Sequence, residues 1–277
     1  MEKILRFKDI KPTPVLYTDI VYSSRMSDFN THISNLHMNI IVPTMEEGRI
    51  IKSPLFIWLE GGAWKTSSPY YRLGELSYFT NNGYIVADVE YSVESNNCWP
   101  ACIEDVKTAI RYLRKNGDIY GIDTDHIYIG GESAGAHLAV LSALIDDKYI
   151  TDEYKEYPSD VNGVISYYCP GDTDIPINNY FNYYDQLVRN DIDNNPILKA
   201  EINPLTYINK KTCPFLMFHG LSDTLVPVEC SKNLYNKLIE YHTEADLYLI
   251  EDAEHADIRF SQPYIQKLVL EFMNRHL

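Results

Sequence analysis

From about residue 54 onward the chain alternates apolar runs of strand length with amphipathic segments of helical period. Leu55 to Leu59 is apolar throughout, and Tyr84 to Val89, His126 to Ile129, Val161 to Tyr168, Phe215 to Phe218 and Leu247 to Ile250 are largely so. A strand with one wet face alternates polar and apolar positions, whereas runs with few polar positions suit strands covered on both faces. Between them, Ile103, Val106, Ile110 and Leu113 recur at helical spacing. They predict a helix after Pro100 that presents Glu104, Asp105, Lys107, Arg111 and Arg114 on its other face. At the C-terminus, Ser261 as cap, Pro263 in the first turn and the stripe Ile265, Leu268, Val269, Phe272 and Met273 predict a last helix. Strand then helix, repeated, implies a mostly parallel sheet of about eight strands with helices on both faces. Val15 to Tyr22 and His37 to Val42 read as antiparallel edge strands. Gly171 to Tyr207, rich in Asp, Asn and Tyr, interrupts the alternation and reads as a lid-like insertion or binding loop. With no Ser/Gly/Pro-rich linker, internal repeat or low-complexity tract, one domain over residues 1–277 is expected.

Composition narrows the partners. At 45% hydrophobic residues the chain has material for a sizeable core. A formal net charge of −15, with no offsetting Lys/Arg cluster, disfavours nucleic acid and anionic lipid surfaces. The longest apolar stretch, Leu138 to Ile145, is too short to span a bilayer, and the first residues do not read as a secretory signal, so a cytoplasmic protein is expected. Five cysteines, an odd number in a large chain, argue for reduced thiols. Cys98 and Cys102 lack a second ligand pair at metal spacing, and neither a metal nor a cofactor is expected.

The candidate chemistry begins at Gly130-Gly131-Glu132-Ser133-Ala134-Gly135. Gly-x-Ser-x-Gly alone is weak, since a chance match arises in roughly one chain in ten of this length. Its mechanical meaning requires a strand, a sharp turn and a helix. Here an apolar run precedes Ser133, and the small-to-apolar segment Ala134 to Leu141 follows it. The alternative, a helix-capping serine, has the same local composition. A serine nucleophile needs a base, itself oriented by a third group. Of eight histidines, His255 is best placed, in a loop just past the run Leu247 to Ile250. Asp223, in the loop after Phe215 to Phe218, is favoured as the third group over Asp172 and Asp174. Glu60-Gly61-Gly62-Ala63-Trp64, after Leu55 to Leu59, is small enough to turn backbone N–H groups toward a developing oxyanion.

Together these residues resemble an α/β-hydrolase of the serine carboxylesterase type. Among such enzymes the chain is most similar to acetyl-xylan and feruloyl esterases and hormone-sensitive-lipase-like esterases. The similarity runs from about Pro54 to the C-terminus, on EGGAW (60–64), YIVADVEYS (84–92), WPACIEDVKTAIRYLRKN (99–116), YGIDTDHIYIGGESAGAHLA (120–139), FHGLSDTLVP (218–227) and EHAD (254–257). The resemblance implies Ser133 as nucleophile, His255 as base and then acid, Asp223 as its orienter, and an oxyanion hole formed by the N–H groups of Ala134 and of Gly62 or Ala63. The sequence departs from the family pattern at Glu60, where His is usual, and at Ser92, where Arg often follows the tyrosine.

A small-molecule ester with a short acyl group is the expected substrate. Trp64 and the insertion aromatics Tyr180, Phe181, Tyr183 and Tyr184 are candidates for a flat surface against a sugar or an aromatic acyl group. Arylformamidase-type amide cleavage and a non-catalytic binding protein on a hydrolase scaffold are the rival readings. Oligomeric state is left open.

Overall fold

The computed structural model describes residues 2–6, 11–44, 52–146, 148–177 and 183–277. Eight strands form one sheet: β1 (Thr13–Met26), β2 (Ile33–Thr44), β3 (Ser53–Leu59), β4 (Ile85–Val89), β5 (Ile122–Glu132), β6 (Gly163–Tyr167), β7 (Phe215–Gly220) and β8 (Ala245–Ile250). Their order across the sheet is β1-β2-β4-β3-β5-β6-β7-β8. The hairpin β1–β2 is antiparallel and β2 runs antiparallel to β4, while the strands from β4 to β8 are parallel to one another. The early pair was expected at the edge, but β1 alone holds that position, because β2 takes β4 as its second partner.

The apolar runs become strands for the reason their composition gives. Every residue of β4, β6 and β7 is buried, whereas the edge strand β1 is largely exposed and the edge strand β8 is half-buried. The helices are α1 (Leu73–Thr80), α2 (Ala101–Lys115), α3 (Gly117–Tyr120), α4 (Ala134–Leu144), α5 (Tyr183–Val188), α6 (Pro196–Glu201), α7 (Val228–Glu240) and α8 (Pro263–Arg275). On one face Ile57, Leu59, Ile129 and Val164 of the sheet form a single cluster with Ile103 and Val106 of α2, Leu138 and Leu141 of α4 and Leu234 of α7. On the other, Phe56, Trp58, Val86 and Phe218 pack with Leu76 and Phe79 of α1 and Val269 and Phe272 of α8.

Two details differ from the sequence expectation. Asp105, Lys107 and Arg111, placed on the solvent face of α2, are almost wholly buried. Distant segments cover them: Asp105 accepts from Arg25 of β1 at 2.8 Å, Lys107 donates to the carbonyls of Ile145 and Asp146, and Arg111 Nη2 donates to Thr151 and to Thr108 of its own helix, while its Nε and Nη1 have no partner. At α8 the cap position is Gln262, with Pro263 in the first turn, and the Ser261 hydroxyl instead donates to Glu75 at 3.0 Å. Ile57 is fully buried in β3, inside the parallel part of the sheet. Ile57→Ala should therefore cost about 2–5 kcal/mol of stability, measured as a lowered urea midpoint at unchanged slope.

Candidate active site

The active-site candidates stand where parallel strands end. β5 runs to Glu132, three residues beyond the apolar run, and α4 begins at Ala134, so Ser133 alone makes the turn between them, with φ 51° and ψ −119°. A left-handed φ at a residue with a side chain costs on the order of 1–3 kcal/mol and persists only where the surroundings hold it. Here the Ser133 N–H donates to the Tyr167 carbonyl and its own carbonyl accepts from His137 N–H, both at 3.0 Å. The flanking glycines are sterically required. A Cβ at Gly131 would lie 2.6 Å from the Leu59 carbonyl oxygen, and one at Gly135 would lie 2.2 Å from it and 2.5 Å from that of Glu60. A capping serine would accept a hydrogen bond from the following helix, and Ser133 makes none. Its hydroxyl faces His255 instead.

His255 follows β8, with Nε2 3.0 Å from Ser133 Oγ and Nδ1 2.7 Å from Asp223 Oδ2. With Nδ1–H donating to the carboxylate, Nε2 is left to accept the serine proton. The loop bearing Asp223 is tied to the one before His255 by Leu221 N–H to the Ile250 carbonyl and Ser222 N–H to the Ala253 carbonyl, both at 2.9 Å. Asp223 is deeply seated. Oδ1 accepts from the N–H groups of Leu225 and Val226, and Oδ2 also lies 3.3 Å from His219 Nε2. Burial pushes its carboxyl upward, but the hydrogen bonds from His219, His255 and Val226 outweigh this and hold it far below the usual carboxylate range.

The loop after β3 closes the site from the other side. Gly62 has φ 149°, and a Cβ there would lie 2.3 Å from the Thr66 carbonyl oxygen. Ala63 and Trp64 follow at φ 52° and 57°, and Lys65 N–H returns to the Gly62 carbonyl at 2.9 Å. Gly61 presses on the elbow, where a Cβ would lie 3.2 Å from Ser133 Cβ. Ala63, Ser133 and Ala134 together line a cavity of about 50 Å³, walled further by Trp64, Pro170, Ile177, Tyr183, Leu225 and Val226. A larger hollow of about 550 Å³, lined by Arg111, Lys155, Asp160 and Cys213, lies at the opposite, amino ends of β6 and β7.

The remaining candidates fall as follows. Trp64 is 1% exposed, wedged against His137 and Tyr184 at 5.3 and 5.7 Å between centroids, so it forms a pocket wall rather than an open platform. Tyr183 lines the pocket, Tyr184 is buried with its hydroxyl on the Pro170 carbonyl, and Tyr180 and Phe181 lie outside the described residues. Asp172 accepts from Asn233 and Asp174 pairs with Lys199, so neither reaches His255. His137 is fully buried against the Ile202 carbonyl, and burial pushes it down to about 4. The five cysteines are free. Among the described residues no group of three or more His, Cys, Asp or Glu side chains could hold a metal, and no helix is long and apolar enough to cross a membrane. Sequence reasoning missed His219 as a second imidazole on Asp223, although its position four residues earlier was a usable signal. It also missed Ile177, Leu225 and Val226, which carry no sequence signal of a pocket.

The sheet, the elbow and the Ser-His-Asp geometry together are those of the α/β-hydrolase fold. Residues 38–238 match the BD-FAE family model, and the chain belongs to that family. It is 32% identical over 195 residues to the esterase LipQ and 30% over 194 residues to the esterase LipC, both of Mycobacterium tuberculosis. Each alignment covers 67% of this chain but only 45% and 48% of the relative, so the chain spans about half the length of these proteins. Among solved structures, a truncated carbohydrate esterase from gut microbiota superposes with a TM-score of 0.78 at 22% identity, covering 98% of both chains. An acetyl ester-xyloside bifunctional hydrolase from Caldicellulosiruptor lactoaceticus gives 0.77 at 20% identity, covering 93% of this chain and 95% of its own.

The elbow contact is open to test by one methyl group. Gly135→Ala should destabilise by about 1–3 kcal/mol, as overpacking does, whereas Gly74→Ala in α1, with nothing within 4 Å of the new methyl, should be neutral or stabilising. Urea unfolding of the two variants side by side measures the difference.

Proposed function

We propose that the chain hydrolyses carboxylic esters of short acyl groups, acetyl foremost, in two steps through an acyl-enzyme on Ser133. The observation that carries this reading is the Ser133 hydroxyl 3.0 Å from His255 Nε2, at the mouth of a cavity of about 50 Å³. Ser133 Oγ attacks the ester carbonyl as its proton passes to His255 Nε2. The carbonyl oxygen takes the negative charge, and the N–H groups of Ala134 and of Gly62 or Ala63 are assigned to receive it. Collapse of the tetrahedral intermediate breaks the ester bond, and the imidazolium returns its proton to the departing alkoxide. Water, deprotonated by His255, then attacks the acyl carbonyl and releases acid and free serine. Asp223 stays ionised throughout, holding the Nδ1–H tautomer and stabilising the imidazolium.

Acyl size follows from the space available. Cavities that take drug-sized ligands run to roughly 300–1,000 Å³. The pocket beside Ser133 is a fraction of that and suits a two-carbon group better than a feruloyl ring on its three-carbon arm. Neighbours described as a carbohydrate esterase and an acetyl ester-xyloside hydrolase support a sugar or xyloside on the alcohol side.

Across p-nitrophenyl esters, kcat/KM should peak at acetyl or propionyl and fall at least about tenfold by hexanoyl, since one methylene in an apolar pocket is worth on the order of 1–3 kcal/mol. A level or rising series would overturn the acyl assignment. Ser133→Ala should lower kcat on the acetyl ester by about 10⁶-fold and Asp223→Asn by about 10⁴-fold, read in steady-state assays with fluorophosphonate labelling of the intact serine.

A further inference from the structure

Beneath the loop that follows β3 lies a carboxyl cluster for which the reaction above has no use. Asp88, Glu60 and Glu132 stand at the carboxyl ends of β4, β3 and β5, which are neighbours in the sheet. All three are buried, at 0%, 6% and 8% exposure. Among the described residues the cation in contact with them is Arg72, whose Nε has no partner and whose other two nitrogens are already engaged. Nη2 donates to Glu132 at 2.6 Å, and Nη1 donates to Glu75 of α1 at 3.1 Å and to Ser261 at 3.2 Å. The Tyr168 hydroxyl also donates to Glu132. What Glu60 receives from Arg72 is a backbone N–H, and its Oε1 has no partner, as have neither of the Asp88 oxygens. Three buried carboxyls sharing one guanidinium cannot all carry charge without a large penalty, and the neutral forms of Glu60 and Asp88 are favoured.

We propose that Glu60 is a positioning residue which must be protonated for the oxyanion loop to keep its working shape, so that turnover falls as pH rises and this carboxyl ionises. The inference rests on the assignment of Ser133 as nucleophile. Glu60 is the residue through which loop and elbow touch: its carbonyl accepts from the Tyr91 hydroxyl at 2.7 Å and abuts Gly135, and the next residue, Gly61, abuts Ser133. An ionised side chain here would repel Glu132, the residue before the nucleophile, and would be drawn toward water. With its own carbonyl pinned, the movement passes into Gly61 and Gly62. Burial and then the Glu132 carboxylate push Glu60 up to about 7, against the pull of the Arg72 guanidinium and N–H. Burial, with Glu60 and Glu132, likewise raises Asp88 well above its ordinary range.

The sign is opposite to that of the base. A base histidine loses activity toward acid and is fully competent above its titration, so a serine esterase governed by it alone stays level on the alkaline side. In the wild-type protein, kcat on p-nitrophenyl acetate should fall about tenfold between about pH 6.5 and 8.5 with KM little changed, because oxyanion contacts act in the transition state. Glu60→Gln keeps the shape without the charge, and its ratio of kcat at the two pH values should be about tenfold higher than wild type. Difference infrared spectra of the wild-type protein over the same range should show a protonated-carboxyl band disappearing, and Glu60→Gln should lack it. A wild-type protein without such a band would overturn the proposal even if the variant does not fold. A level wild-type kcat profile in enzyme whose Ser133 takes a fluorophosphonate, an alkaline fall retained in Glu60→Gln, or no titrating carboxyl band would each overturn the proposal. Absence of labelling at either pH would overturn the nucleophile assignment, and this inference with it.

Discussion

The site depends on how closely two backbones approach at the carboxyl ends of β3 and β5. The carbonyl oxygens of Leu59 and Glu60 occupy the space that side chains at 131 and 135 would need. Only hydrogen atoms at those positions let the serine turn sit against the loop of Gly61, Gly62 and Ala63, and only that contact sets the Ala134 and Ala63 backbones on either side of one cavity. The left-handed backbone of Ser133, Ala63 and Trp64 is the strain this contact imposes. Strands buried on both faces supply a frame stiff enough to hold it.

Along the same sheet edge, two buried carboxyls are driven in opposite directions by what surrounds them. Asp223 accepts two backbone N–H groups and faces two imidazoles, so its anion is favoured despite burial. Glu60 has one backbone N–H and a neighbouring carboxylate, so its neutral acid is favoured. Burial alone therefore gives the right direction at Glu60 and the wrong one at Asp223. The count of donors against charges decides the state of each group, and each state suits the place: an anion behind the imidazole, an uncharged acid behind the loop.

Much of this arrangement is legible in the sequence because it is local. Each strand run reads from a few consecutive apolar residues, and the elbow reads from five residues with a strand before and a helix after. His255 and Asp223, 122 and 90 positions from Ser133, could be picked out because each follows a strand run and ligands gather at strand ends. What failed depends on distant segments. The charged face of α2 looks solvent-directed until Arg25 and the carbonyls of Ile145 and Asp146 are laid over it. Trp64 looks like an open aromatic until His137 and Tyr184 close on it. Glu60 and Ser92 stand out in sequence only as departures from a pattern. The structure shows that Ser92 offers its N–H to Asp105, whose cation is Arg25, and that Glu60 meets Asp88 and Glu132 because β4, β3 and β5 are neighbours.

His219 gives the acid of the site an independence from the histidine it serves. It belongs to β7, is wholly buried, and is itself fixed by the Ser231 hydroxyl at 2.7 Å and the Val226 carbonyl at 2.9 Å. Together with the two backbone N–H groups it anchors the carboxylate from within the scaffold. The stretch between His255 and α8 can then change in length or sequence, provided the imidazole keeps its place, without the socket that receives it having to be rebuilt.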